Sequence, residues 1–274
     1  MQRRRTFLTV AAAWAAPATP AWAARPAAGT SAPLLCGADV ALAASGLARD
    51  LQLGFGRDTG IRVTIVVAPA LALLEAARLG DIDVLLCNTP DAESALEAQG
   101  LLHDRRPLAV GGFAIVAPAA SRRRGAPATL PRGMGAVDAL ARLGSLAGHD
   151  PAGVRFLSAN DGSGVHVMEQ GLWRQAKVAP AAPWYLLADP ARDFIQQVRQ
   201  ASAWALVERA AWQVRGGGAM ALAGPGDPLL DESVHVMRSF HDAHPAGRMF
   251  TAWVGGPHGR AVARAHRGYR DVAR

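Results

Sequence analysis

The chain has 274 residues, of which 50% are hydrophobic and 19% are charged, a balance typical of a folded globular protein. This composition excludes a disordered chain, a collagen and a coiled coil, and no apolar run after residue 24 approaches the ~18 residues that span a bilayer. The formal charge is +7. Without the three arginines near the N-terminus it is +4. The remaining arginines are scattered apart from Arg122-Arg123-Arg124, so we expect no nucleic-acid partner.

Residues 1–23 have the features of an export signal. A basic start and an alanine-rich apolar stretch end at Ala21-Trp22-Ala23, a small-x-small cleavage pattern. The segment Arg4-Arg5-Thr6-Phe7-Leu8 resembles the twin-arginine signal of proteins that are exported already folded. The sequence therefore predicts a signal peptide over 1–23, a linker over 24–33 and a periplasmic location.

From residue 34 onward, short apolar or β-branched runs alternate with stretches of helical periodicity. The first half contains predicted strands at 34–36, 61–67, 83–87 and 113–117 and predicted helices at 40–57, 71–79 and 91–99. The second half contains predicted helices at 136–146, 164–176, 192–200 and 259–267 and predicted strands at 154–157, 203–207, 219–223 and 234–237. This alternation predicts an α/β fold whose sheets are mixed or parallel and flanked by helices.

The alternation restarts after residue 133, which predicts two lobes of ordinary domain size. We expect lobe 1 to comprise 34–118 and the return segment 229–274, and lobe 2 to comprise 119–228. The turn-rich stretches 118–133 and 224–228 are predicted to be the two crossovers that form the hinge.

Candidate binding residues follow predicted strands, because ligands of open α/β sheets bind beyond the carboxyl ends of the strands and near helix N-termini. The most informative segment is 158–166, with the sequence SANDGSGVH. Its glycines and serines beside a predicted helix start suit either an anion-binding loop or an ordinary capped loop. A serine hydrolase that uses Ser163 and His166 is a weaker alternative, because Asp161 replaces the first glycine of the nucleophile elbow.

Several motifs occur in a characteristic order: GDIDVLL at 80–86, PDAE at 90–93, DRRPL at 104–108, SANDGSGVH at 158–166, LW at 172–173, WYL at 184–186 and GDPLL at 226–230. Together they resemble the periplasmic tungstate-binding proteins of ABC importers over most of residues 34–240. The resemblance implies a type II periplasmic-binding-protein fold, a tungstate- or molybdate-like oxyanion in an interlobe cleft, and an ABC permease as partner. We expect a monomer with no catalytic residue, no metal and no cofactor.

The predicted ligand-binding set combines the segment after the first strand, the segment after the third strand, the 158–166 motif and an arginine after the strand at 203–207. Its members are Ala38, Asp39, Val40, Asn88, Ser158, Ala159, Ser163, Gly164 and Arg209. We expect a groove between the lobes, with Ser163 not buried beneath side chains.

The sequence departs from the family where the ligand is held. The family's hydroxyl-rich first loop is represented by 38–41, with the sequence ADVA, and its motif arginine is replaced by Ala159. Lost donors weaken oxyanion binding, and an ionised Asp39 repels an anion. Two hypotheses follow: either Asp39 caps the next helix and points away from the ligand, or the cleft has a different ligand. A sensory or partner-binding role stays open as well.

Cys36 and Cys87 allow three interpretations, namely buried small apolar residues, a disulfide, or ligands of a soft metal. Both lie at the carboxyl ends of predicted strands that we expect to be neighbours, and we expect both to face the cleft. His241 and His244 lie in a polar stretch before Pro245, and we expect both at the surface.

Overall fold

The computed structural model describes residues 32–118, 133–216, 227–241 and 244–272. The predicted leader, nearly all of the linker, the predicted strand at 219–223 and most of both predicted crossovers lie outside these ranges. Within the described ranges, no helix combines the length and the apolar character that a membrane span requires.

The elements alternate along the chain largely as the periodicity predicts. The strands are β1 (Leu34–Asp39), β2 (Val63–Ala68), β3 (Val84–Cys87), β4 (Leu102–Val116), β5 (Phe156–Ser158), β6 (Tyr185–Leu187), β7 (Ala205–Glu208) and β8 (Asp231–Ser239). The helices are α1 (Val40–Ala44), α2 (Leu47–Thr59), α3 (Ala70–Leu79), α4 (Pro90–Ala98), α5 (Ala136–His149), α6 (Gly164–Gln175), α7 (Phe194–Ala201), α8 (Arg209–Arg215), α9 (Gly247–Val254) and α10 (Pro257–Ala265), with a 3₁₀ turn at Pro228–Leu230.

The main sheet is mixed and has the strand order β2-β1-β3-β8-β4-β7. Strand β1 pairs in parallel with β2 and β3, whereas β8 and β4 pair antiparallel with their neighbours. A second, parallel pair is formed by β5 and β6, and a bridge between Phe156 and Trp204 joins it to the segment that leads into β7. The prediction that the first and third strands are neighbours is confirmed, because β1 pairs with β3.

Separate hydrophobic cores define the two lobes. In lobe 1, α2, α9 and α10 supply apolar side chains to one face of the sheet, and α3 and α4 supply them to the other face. In lobe 2, the carboxyl end of β4 packs with α5, α6 and β5, with Trp173 and Trp204 buried among them. In α2, α3, α4, α5 and α6 these side chains form the apolar stripes that the helical periodicity predicted.

Strands β4 and β8 cross from one lobe to the other side by side. At the crossing, Gly111 pairs with Glu232 and Gly112 pairs with Asp231. A Cβ at position 112 would overlap the Arg209 guanidinium and would lie 2.7 Å from the Leu230 carbonyl oxygen. Glycine is therefore required where the two crossing strands and Arg209 approach one another.

Three local predictions need correction. The predicted helix over 40–57 is two helices, because Gly46 adopts a φ of +90° between them, a conformation that favours glycine. His244 is buried, its ring bonded to the Ala32 carbonyl oxygen at 2.9 Å, so the expected surface position is wrong. Helices α8 and α9 and strand β6 were not predicted.

The two cysteines are buried and free, so the disulfide hypothesis is wrong. Cys36 belongs to the core on one face of the sheet, and Cys87 belongs to the core on the opposite face. Successive side chains of a strand point to opposite faces, which separates them although their strands are neighbours. No group of three or more potential metal ligands occurs in the described part of the chain.

Candidate functional site

The centre of the site is the carboxylate of Asp39, the last residue of β1. Its Oδ1 accepts a hydrogen bond from the Ala41 N–H at 2.9 Å and so caps α1. Its Oδ2 accepts from the Ala70 N–H at 3.0 Å and from the Gly164 N–H at 3.2 Å. The capping hypothesis is therefore confirmed, but the cap does not point away from the cleft, because the same carboxylate joins α1, α3 and α6.

These three donors come from both lobes. Ala70 is the first residue of α3, directly after β2, and Gly164 is the first residue of α6, directly after the 158–163 loop. First-turn N–H groups have no partner inside their own helix, so they are free to bind an anion. Strands β1 and β2 are parallel and end at the same sheet edge, and closure of lobe 2 brings the start of α6 to that edge.

The lobes are in direct contact around this carboxylate. The Leu71 N–H donates to the Gly162 carbonyl oxygen at 3.0 Å. A Cβ on Gly164 would overlap the amide of Asn88, a residue that follows β3 and is 3% exposed. Asn88 Oδ1 has no hydrogen-bond partner among the described residues. The structure therefore shows a closed cleft with one unpaired polar atom beside the shared carboxylate.

Burial dominates the electrostatics of Asp39. The side chain is completely buried, and this desolvation raises its pKa to about 6. The hydrogen bonds from Ala41, Gly164 and Ala70 lower the pKa, whereas the nearby charge of Asp161 raises it. The amides thus compensate only part of the cost of burying the charge.

A cavity of about 210 Å³ adjoins this contact. Helix α1 contributes one wall, and the loop before α6, the start of α7 and the end of β7 contribute the others. Apolar side chains predominate, and the polar lining residues are Asp161, Ser163, Arg192, Asp193, Glu208 and Arg215.

Glu208 is the most buried charged residue of this cavity lining. It caps α8 by accepting the Ala211 N–H, and its other oxygen, Oε1, is buried without a hydrogen-bond partner among the described residues. Desolvation raises its pKa to about 7, Arg209 lowers it, and the charge of Asp39 raises it. Two buried carboxyl groups therefore lie close enough to influence one another.

The structure places the predicted site residues at the contact between the lobes, in the lining of the adjoining cavity, or in the interior of a lobe. Asp39, Asn88, Ser163 and Gly164 meet at the lobe contact, and Val40 and Ala159 line the adjoining cavity. Ser158 lies buried beside the Glu169 carboxyl group, and Ala38 lies in the core of lobe 1.

Arg209 lies apart from the amides that bind Asp39. Its Nη2 donates to the Gly111 carbonyl oxygen and to Asp231 Oδ1, both at 3.2 Å. The guanidinium thus ties α8 to the two strands that cross between the lobes.

Ser163 is not accessible, contrary to expectation. It is 1% exposed, and its hydroxyl oxygen caps α6 by accepting the His166 N–H at 3.4 Å. The His166 ring accepts the Gly162 N–H through Nδ1 at 3.0 Å, and burial lowers its pKa. No hydrogen bond joins the Ser163 hydroxyl to the His166 ring in the described structure, so the hydrolase alternative has no supporting geometry here.

The predicted ligand-binding set omitted three residues of this site, Ala41, Ala70 and Glu208, although Ala41 belongs to the first-loop segment and Glu208 follows a predicted strand directly before Arg209. The two alanines act through their backbone, which residue type does not reveal. A signal was nevertheless present at Ala70, because Pro69 separates a predicted strand from a predicted helix and so marks a helix start.

The three backbone amides form an anion-binding site, and the Asp39 carboxylate already occupies it. Each N–H has one proton to donate, and each is used by Asp39. An external oxyanion at about 4 Å from the ionised carboxylate meets a repulsion of about 4 kcal/mol per unit charge at an effective dielectric constant near 20.

Comparison with known proteins gives the same fold and family. The family model described as bacterial extracellular solute-binding protein matches residues 38–270. The "Putative ABC transporter anion-binding protein" of Haloferax volcanii is 30% identical over 166 residues, which are 60% of this chain and 45% of that protein. The tungstate-binding protein TupA of Peptoclostridium acidaminophilum is 26% identical over 166 residues, 60% of this chain and 55% of that protein. The matches thus span about half the length of these two relatives.

Among solved structures, the tungstate ABC transporter protein of Geobacter sulfurreducens superposes with a TM-score of 0.70. It is 21% identical and covers 87% of this chain and 100% of its own, so this likeness concerns the fold. The predicted resemblance and the two-lobed α/β fold are confirmed. The family match extends over most of the chain, and the protein belongs to the bacterial extracellular solute-binding proteins.

Proposed function

We propose that this protein captures a small oxyanion, of the tungstate or molybdate class, between its lobes and delivers it to an ABC permease. One observation carries the proposal: three backbone N–H groups from helices of both lobes converge on a single carboxylate. A carboxylate and an oxyanion offer the same acceptor, a negatively charged oxygen, to such donors.

The three N–H donors are divided between the two lobes, which explains how an anion is captured by closure. Ala41 and Ala70 belong to lobe 1 and Gly164 belongs to lobe 2, so an anion bound to all three makes contacts that exist only when the cleft is closed. This difference in contacts between the open and closed states drives closure.

The transport setting is supported by the sequence and by the names of the relatives. Residues 1–23 have the pattern of an export signal of the twin-arginine type, which supports a periplasmic location. The two relatives are named as an ABC transporter anion-binding protein and a tungstate-binding protein. A monomer that binds no nucleic acid and no cofactor fits this role.

The test is to delete one donor without deleting a side chain. Ala70 is the first residue of α3, and Pro69 before it has a φ of −59° and a ψ of 146°, which is compatible with a following proline. Ala70→Pro removes the N–H, and titration calorimetry with tungstate, molybdate, sulfate and phosphate measures the effect. A charge-assisted hydrogen bond is worth roughly 1.5–3 kcal/mol, so oxyanion binding should weaken by up to about 10- to 150-fold, and by less to the extent that Asp39 loses the same bond in the free protein.

Ala136→Pro is the matched control. Ala136 is also the first residue of a helix, it is also buried, and its N–H also bonds a carboxylate, that of Asp227, at 2.7 Å. We expect this variant to keep the wild-type affinity. No saturable binding of any of the four oxyanions to the wild type, or equal affinities of the two proline variants, contradicts the proposed function.

A different ligand is the second candidate, and the cavity favours it. Its lining is mostly apolar, and Glu208 contributes a buried carboxyl group. These features suit a small molecule with an apolar body and a hydrogen-bond donor or cationic group. A thermal-shift screen with small amines and amino acids tests it, and Glu208→Gln should abolish any such shift.

A further inference from the structure

Among the helix-capping carboxylates of this protein, Asp39 has an unusual set of partners. Asp193 and Glu208 each accept an N–H of the helix that they begin. Asp227 caps the 3₁₀ turn and also accepts one distant N–H, that of Ala136, but both of its donors lie on the side of lobe 2. Asp39 does the same for α1, but it also accepts the Ala70 and Gly164 N–H groups, which lie 31 and 125 residues farther along the chain. The capping role therefore explains one of its three bonds and leaves two to be explained.

Those two bonds occupy the position that a captured anion would take. Helices α3 and α6 have ten and twelve residues, and their first N–H groups point to one oxygen, Asp39 Oδ2. Asn88, 3% exposed, has an amide oxygen without a partner among the described residues, and it adjoins Gly164 at this point. An amide oxygen only accepts hydrogen bonds and does not bind an oxyanion, but the same buried amide, turned over, offers its NH₂ group as a further donor at this point.

Asp39 supplies an anionic group, from the chain itself, that joins the two lobes. Asp39 Oδ2 links lobe 1 to lobe 2 through Gly164, and the Leu71 N–H to Gly162 carbonyl bond lies beside it. The carboxylate belongs to the chain, so its effective concentration at the amides does not depend on the supply of ligand. Any external anion must displace it from all three donors.

We propose that Asp39 is a built-in anion: it closes the cleft on its own and sets ligand specificity by competing with oxyanions for the Ala41, Ala70 and Gly164 amides. The proposal rests on the proposed function for the identity of the competing ligand. The closing role of Asp39 does not depend on it.

The experiment replaces Asp39 by residues that still cap a helix. Asp39→Ser keeps a good capping residue, removes the charge and vacates space, and Asp39→Asn removes the charge at nearly constant size. Asp227→Ser is the matched control, since Asp227 also joins two elements, through the Leu229 N–H at 3.0 Å and the Ala136 N–H at 2.7 Å.

Two readouts are needed, one for affinity and one for closure. Titration calorimetry with tungstate and with sulfate measures affinity. Spin labels on Leu53→Cys in α2 and Leu187→Cys in β6 measure the distance between the lobes, because these side chains are 56% and 60% exposed whereas the native cysteines are buried.

We expect Asp39→Ser to bind tungstate at least 100-fold more tightly than the wild type, and Asp39→Asn to lie between them. Without ligand, Asp39→Ser should show a longer interlobe distance that tungstate restores to the wild-type value. Asp227→Ser should match the wild type in both measurements.

The two proposals fail in different ways. If the wild type and Asp39→Ser bind tungstate equally well and are equally closed, the proposed function stands and the built-in anion is overturned. If neither binds an oxyanion but Asp39→Ser opens, the closing role stands and oxyanion capture is overturned. If neither binds and both stay closed, both proposals are overturned.

Discussion

The backbone of Gly164 in lobe 2 lies against the side chain of Asn88 in lobe 1 so closely that a Cβ on Gly164 would overlap the Asn88 amide. Gly164 also donates its N–H to Asp39, 125 residues earlier in the chain. One glycine thus supplies both the space and a hydrogen bond for the contact between the lobes. The lobes reach this contact only because residue 164 has no side chain.

We therefore predict that Gly164→Ala keeps the cleft from closing fully. Asn88 is buried and has little room to move, so the added methyl group should cost roughly 1–3 kcal/mol in the closed state. Small-angle scattering should show a larger radius of gyration, and thermal denaturation should show a lower melting temperature.

Gly171→Ala is the control in the same helix, since a Cβ there meets nothing within 4 Å. Replacing a mid-helix glycine should stabilise the protein by about 0.5–1 kcal/mol and leave the radius of gyration unchanged. Equal scattering curves for Gly164→Ala and Gly171→Ala would show that position 164 does not limit closure.

Sulfate binding should strengthen as the pH falls, because Asp39 has a pKa of about 6 and competes for the amides only when ionised. If binding requires neutral Asp39, the apparent affinity should be roughly 30-fold higher at about pH 5 than at about pH 7.5. Protonation of Glu208, whose pKa is about 7, acts in the same direction. Calorimetric titration at several pH values measures this slope.

Asp39→Ser should flatten this dependence, because it removes the titrating competitor. An equally steep slope in Asp39→Ser would assign the pH dependence to another group.

Glu169 should make the native state less stable at alkaline pH. It is completely buried, accepts the Tyr185 hydroxyl at 2.6 Å, and has a pKa raised to about 7 by desolvation. The folded state thus holds a proton that the unfolded state has released, so stability is complete below about pH 4.5 and decreases as the pH rises through about 7. The loss is at most about 3 kcal/mol, at 1.36 kcal/mol per pKa unit.

Glu169→Gln keeps an acceptor for Tyr185 and removes the titration. Urea denaturation should show a smaller decrease in the free energy of unfolding between about pH 5 and pH 8.5 than in the wild type. Glu75→Gln is the control, because Glu75 is exposed and its pKa is lowered by Arg78. A Glu169→Gln protein with the full wild-type pH dependence refutes this assignment.

Both cysteines should be unreactive in the folded protein. Burial raises the pKa of the Cys36 and Cys87 thiols, and the thiolate is the reactive form. A chromogenic disulfide reagent should detect no thiol in the native protein and two thiols per chain after unfolding without reductant. Fewer than two thiols after unfolding would indicate a disulfide and contradict the separation of the two residues by the sheet.

Elements whose evidence is local in the sequence were predicted well. The strand β2 and the helices α3, α5 and α6 were recognised because β-branched runs and helical periodicity are properties of neighbouring residues. The break between α1 and α2 was missed because a glycine is tolerated inside a helix, and only its φ of +90° shows that it ends one. The family motifs were also recognised from the sequence, since they are contiguous segments.

The sequence by itself determined the α/β class, the family and the segments that meet at the cleft. A helix cap at Asp39 was one of two hypotheses that the sequence allowed, because that bond spans two residues. Only the tertiary structure decided that the same carboxylate bonds Ala70 and Gly164, that Ser163 is buried, and that Arg209 bonds the crossing strands. The physical reason is that these contacts depend on how the two lobes close on each other, which no local pattern of residues specifies.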